Sequence, residues 1–137
     1  MPPYGDQQFG WCVPAVYSLA EKLEMPRMKD NVLGHYIDYL QQRNKGPTLP
    51  SIAEAYVRTF AGSLLRRFSS YFIGYIISNN SAEFEDESVC GVLRGRPDLN
   101  DDVIKLLRKY KGKVPDPRFK PQCYFHVHDA AETCPHT

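Results

Sequence analysis

The sequence predicts an all-α fold: five to six short helices in antiparallel hairpins, finished by an irregular Pro-rich C-terminal strap and a Cys/His tail. Three observations carry this. Apolar residues recur every three or four positions through most of the chain. Proline and glycine interrupt those runs at helix-length intervals. No stretch shows the strict alternation that a half-buried strand requires. Short connections between short helices imply antiparallel neighbours around one core. The chain divides into a leader at 1–10, extended or disordered, a helical domain at 11–112, and the strap and tail at 113–137.

The first helix should run from Trp11 to about Leu23, with Val13, Val16, Leu19, Ala20 and Leu23 at helical spacing. Pro14 is tolerated there because a first-turn amide has no helical partner to lose. Met25-Pro26 ends it and opens the second helix, whose apolar stripe is Met28, Val32, Leu33, Tyr36, Tyr39 and Leu40. The segment Asn44–Pro47 closes that helix. Ser51 and Glu54 have the spacing of a capping box, so a third helix is expected over about 51–60. Gly62-Ser63 restarts the chain, and Leu64, Leu65, Phe68, Tyr71, Phe72, Tyr75 and Ile76 form a fourth, strongly apolar helix. An acidic loop follows over 78–87, then a short helix over 88–94. Pro97–Asn100 opens the last helix, with Asp98 or Asn100 as cap and Asp101 and Asp102 facing the positive end of its dipole. Val103, Leu106, Leu107 and Tyr110 are its buried face, and Gly112 stops it. Three prolines between Val114 and Pro121 make an extended strap.

At 137 residues the chain can bury one substantial core. Seventeen basic and sixteen acidic side chains leave a formal charge of +1. Nucleic-acid and anionic-membrane surfaces need a clear basic excess, so neither is expected as partner. The most apolar run, Tyr71–Ile77, is far short of the roughly 20 residues that cross a bilayer. The first thirty residues lack the pattern of a secretory signal. A reducing compartment, cytoplasmic or nuclear, is therefore expected, where clustered cysteines and histidines point to metal before disulfide.

The tail is such a cluster. Residues 123–137 hold two of the four cysteines and three of the four histidines, spaced C-x2-H-x-H-x5-C-x-H. Thiolate and imidazole are the ligands that suit zinc, and Cys123, His126, His128 and Cys134 would close a tetrahedral structural site, with His136 as a spare. The H-x-H pair serves one ion only if the backbone bends there. Two other readings stand beside this one: Tyr124 and Phe125 docking on the helices with incidental thiols and imidazoles, and a Cys123–Cys134 disulfide. Elsewhere, Cys12 lacks the surroundings of a papain-type nucleophile and reads as a small core residue. His35 reads as structural or surface. The segment Gly91–Gly95 lacks the Gly-Lys-Ser/Thr ending of a phosphate loop. Arg66 and Arg67 diverge by about 100° on a helix. At least one is expected to pack half-buried against the acidic segment 83–87.

Four stretches in order resemble the region that follows the BTB/POZ domain in fungal BTB-domain-containing proteins. Val16–Asp30 looks like that family's Y-x-L-A-D-K-x-x-I-P-x-L-x-N segment, and Ser63–Arg67 like its S-P-L-R-R signature. Arg96–Leu99 sits where the family has L-P-x-x-F. Cys123–His128 with Cys134-Pro135 resembles its C-x-[YF]-H-x-H…C-P ending. The likeness covers about residues 15–135. It implies a protein-interaction theme. The ligase-adaptor role of such proteins belongs largely to the BTB domain, which Met1–Gly10 does not resemble; the chain then reads as a fragment, or as a variant without that domain. An apolar patch is expected where that domain would sit, around Trp11, Val13 and Tyr17.

The functional expectation is a non-catalytic interaction or scaffold module with a protein partner, self-association included, no small-molecule substrate and zinc as a structural cofactor. The alternatives are a thiol-dependent hydrolase using Cys12 and a zinc-stabilised nucleic-acid binder. The first would need a histidine beside Cys12. The second would need a contiguous basic face.

Overall fold

The computed structural model describes residues 12–79 and 84–126, with Gln122 and Cys123 described by their backbone alone. The chain is all-helical, and no strand occurs among the described residues. Six α-helices follow one another: α1 Val13–Lys22, α2 Pro26–Arg43, α3 Leu49–Arg58, α4 Leu64–Ser78, α5 Asp86–Gly95 and α6 Pro97–Lys109. Two 3-10 turns, Pro117–Phe119 and Gln122–Phe125, complete the described part.

Proline sets several of these starts. α1, α2, α3 and α6 each carry one at their first or second position, where φ is already helical and no amide bond is forfeited. The start of α3 differs from the capping-box expectation. Thr48 is the cap, its hydroxyl accepting from the Ser51 amide at 3.2 Å. Pro50 has no amide to satisfy, so the helix can begin two residues earlier than Ser51. Glu54, freed from a capping role, pairs with Arg58 one turn on. At the other end of α2, Asn44 takes a left-handed conformation at φ 51°. The Lys45 amide then reaches back to the Leu40 carbonyl at 2.9 Å.

α4 is the axis of the molecule. Leu65, Phe68, Tyr71, Phe72, Ile73 and Ile76 are all buried, so the helix is apolar nearly all round, as a helix surrounded by neighbours must be. On one side it meets α2 and the C-terminal turns, around Phe68, Tyr36, Leu33 and Phe125. Towards α3, α5 and α6 it contributes Phe72, Ile73 and Ile76 to a second cluster with Ile52, Tyr56, Leu99 and Val103. α1 packs on α2 and α3.

The strap is not extended throughout. After Val114 it tightens into the Pro117–Phe119 turn, because the Asp116 side chain accepts from the Arg118 amide at 2.9 Å. Arg118 is 8% exposed. It forks onto Asp116, donates to the Lys45 carbonyl at 2.6 Å, and lies over the rings of Phe72 and Tyr75. One guanidinium thus ties the strap to the end of α2 and the face of α4. Gly46 makes this junction possible. A Cβ there would lie 1.8 Å from the buried Phe72 ring, so the ring or the backbone would have to shift. Gly46→Ala is therefore expected to cost about 1–3 kcal/mol of stability through overpacking. A denaturant midpoint unchanged by Gly46→Ala would show that the ring is free to move.

Candidate functional site

Of the four expected zinc ligands, only His126 has a described side chain. It follows the Gln122–Phe125 turn and is 8% exposed. The side chain of Cys123, and His128 and Cys134 entirely, lie outside the described residues, as does His136. Among the described residues, no three His, Cys, Asp or Glu side chains gather in a way that would hold a metal. What brings the chain to His126 is aromatic packing. Phe125 is 1% exposed and meets Phe68 edge-on at 5.4 Å and Tyr71 at 5.9 Å. Tyr124 stacks edge-on against Tyr71 at 5.8 Å.

The Tyr124 hydroxyl lies 2.6 Å from that of Tyr71, which lies 2.9 Å from that of Tyr110. Arg67 donates to the Tyr124 oxygen at 2.7 Å and lies over its ring at 4.5 Å. Burial pushes the Tyr124 hydroxyl up, but the Tyr71 hydrogen bond and the Arg67 charge outweigh it and bring the pKa below the ordinary tyrosine value. Tyr71 moves the other way, raised by burial and by its bonds to the two other phenols.

The arginine pair is half-buried as expected at one member, but its partner is different. The Arg66 guanidinium reaches the end of α3, donating to the carbonyls of Tyr56 (2.8 Å) and Thr59 and to the Thr59 hydroxyl at 3.1 Å. Its acidic partner is Asp98 at 3.4 Å, at the start of α6, not the 83–87 segment. Arg96 joins the same group, 3.0 Å from Asp98 and 3.1 Å from the Tyr56 carbonyl. Two cations thus meet the negative end of the α3 dipole. Asp102, expected as a dipole partner of α6, instead takes the Tyr56 hydroxyl at 2.6 Å. Burial first, and this bond second, push the Tyr56 pKa well above its usual value.

The expected apolar patch is on the right helix but the wrong face. Val13 and Tyr17 are each 1% exposed and belong to the core; Trp11 lies outside the described residues. At about 100° per residue, Val13, Tyr17 and Ala20 share one arc of α1, and Val16, Leu19 and Leu23 share another about 100° away. The second arc is open. Leu19 is 51% exposed and Leu23 59%, with Met25 at 43% in the turn beyond. Beside it a groove of about 330 Å³ runs between α1 and α2, lined by Val16, Met28, Asn31, Val32 and His35. Sequence reasoning missed this surface, although the i, i+3, i+7 spacing of Val16, Leu19 and Leu23 was there to mark it.

Cys12 sits half-buried at the cap of α1, and Cys90 is exposed on α5. Among the described residues, no helix is long and apolar enough to cross a membrane. A scan against models of protein families, a search of curated proteins and a search of solved structures each found no match.

Proposed function

We propose that this chain is a non-catalytic protein-interaction module that pairs with a second copy of itself through the outer face of α1 and the α1–α2 turn. The observation that carries the reading is the stripe of Val16, Leu19 and Leu23, continued by Met25 and Met28. Large apolar side chains grouped on one face mark association surfaces. Spacing of three and four residues is what another helix fills with its own side chains. The rim fits a copy of itself. Glu24 and Arg27 are both exposed there with opposite signs, beside Lys22 and Lys29, so a two-fold axis can set acid against base. A formal charge of +1 puts little repulsion between copies. The resemblance to the region after a fungal BTB domain points to the same general role. Sedimentation equilibrium tests the reading: a monomer–dimer equilibrium is expected in the micromolar range, and a monomer at every concentration would contradict it.

A structural zinc in the tail, held by Cys123, His126, His128 and Cys134, belongs to the proposal. Its support is the ligand spacing, together with the buried Phe125 that fixes the chain immediately before His126. Metal would clip the tail after its last aromatic anchor, Phe125. One zinc per chain is expected in the purified protein, with a melting temperature that falls on chelation. Metal-free protein with an unchanged melt would remove zinc from the account.

A further inference from the structure

A second surface lies between α4 and α6, where a groove of about 400 Å³ is lined by Arg66, Arg67, Lys105 and Lys109, with Ser70 and a single carboxylate, Asp102. The charges there are not balanced internally. Arg66 is committed to Asp98 and the end of α3, and Asp102 to the Tyr56 hydroxyl. Arg67 spends its described hydrogen bond on the uncharged Tyr124. Lys105 and Lys109 enter no ion pair among the described residues, and both are exposed. They stand four apart on α6, a like-charge spacing that costs a helix a few tenths of a kcal/mol. Arg67, by contrast, is held in place by a ring and a hydroxyl, so little freedom remains to be lost when its other N–H groups meet an acceptor.

The geometry points to this groove as a binding site for an acidic peptide segment, its carboxylate or phosphate oxygens received by Arg67, Lys105 and Lys109. Three cations facing one groove are complementary to a short run of acidic side chains. The volume exceeds what one small anion fills, and the open shape between two helices suits a peptide lying along it. The site is separate from the α1 face, so it stands or falls independently of self-association.

The test is titration of the full chain with a short oligo-glutamate peptide, followed by calorimetry at low and high salt. A parallel titration uses a peptide of the same length carrying phosphoserines. Lys105→Gln/Lys109→Gln removes two exposed charges without disturbing a described contact of Lys105; an unchanged melt verifies its fold. Binding at low salt that weakens at least about tenfold in the double variant, and again at high salt, is expected. Tighter binding of the phosphopeptide assigns phosphate as the anion, and equal binding assigns carboxylate. No binding at low salt, binding indifferent to the double variant, or tighter binding of a single-stranded oligonucleotide of equal charge would overturn the proposal. Leu19→Glu, which addresses the α1 face, should leave this binding unchanged.

Discussion

Arg118→Ala is expected to destabilise the protein by about 3 kcal/mol, because it leaves a largely buried carboxylate without its counter-ion. Asp116, with a side chain 13% exposed, takes three bonds from Arg118's side chain. The same guanidinium satisfies the Lys45 carbonyl and covers Phe72 and Tyr75. All of these are lost together. The Asp116 bond holds Arg118 protonated and raises its pKa further; burial alone would lower it. Arg118 is therefore charged across the working range of pH. Arg118→Lys should recover only part of the loss, since an ammonium cannot fork onto a carboxylate and lie flat on a ring at once. Urea unfolding of the two variants measures this. A loss below about 1 kcal/mol for Arg118→Ala, the range of exposed pairs, would mean that the strap is not clamped.

Arg66→Glu is the second large effect, expected on the order of 3 kcal/mol, the scale of charged hydrogen bonds lost from a poorly solvated site. The Arg66 side chain is 14% exposed and lies 4.9 Å from the centre of the Tyr56 ring. Reversal would set a carboxylate against Asp98 and the carbonyl end of α3. Arg67→Glu should cost much less, because Arg67 is exposed and its described partners are two tyrosines. The difference between neighbours is the informative reading. Equal losses by chemical denaturation would mean that the α3 end is not where the energy lies.

Much of the fold was legible because its punctuation is proline. Pro14, Pro26 and Pro97 open helices where the chain places them, and the apolar run of α4 could only be a surrounded helix. The start of α3 was misread because Ser51 and Glu54 have the right spacing, while the competing cap, Thr48, lies on the far side of a proline. Partners distant in sequence were out of reach. Nothing local tells that Arg66 meets Asp98, 32 residues on, or that Arg118 meets Lys45. The surface of α1 was half legible. Val13, Val16, Leu19, Ala20 and Leu23 read as one apolar set at helical spacing, with the exposed patch expected around Trp11, Val13 and Tyr17, since periodicity gives the width of an apolar face and not how much of it the neighbours cover. α2 and α3 cover the Val13 and Tyr17 arc and leave Leu19 and Leu23 open. The Cys/His spacing of the tail was legible, and of the four residues expected to ligate zinc only His126 has a described side chain, which is buried.

The measurement that bears most directly on self-association is sedimentation equilibrium of the wild type beside Leu19→Glu/Leu23→Glu, with Val57→Glu as control. Val57 is 60% exposed on α3, so it matches the two leucines in exposure but not in location. The expected result is a concentration-dependent dimer for the wild type and the control, and a folded monomer for the leucine pair. A wild type that stays monomeric, or a leucine pair that still dimerises, would contradict pairing through the outer face of α1.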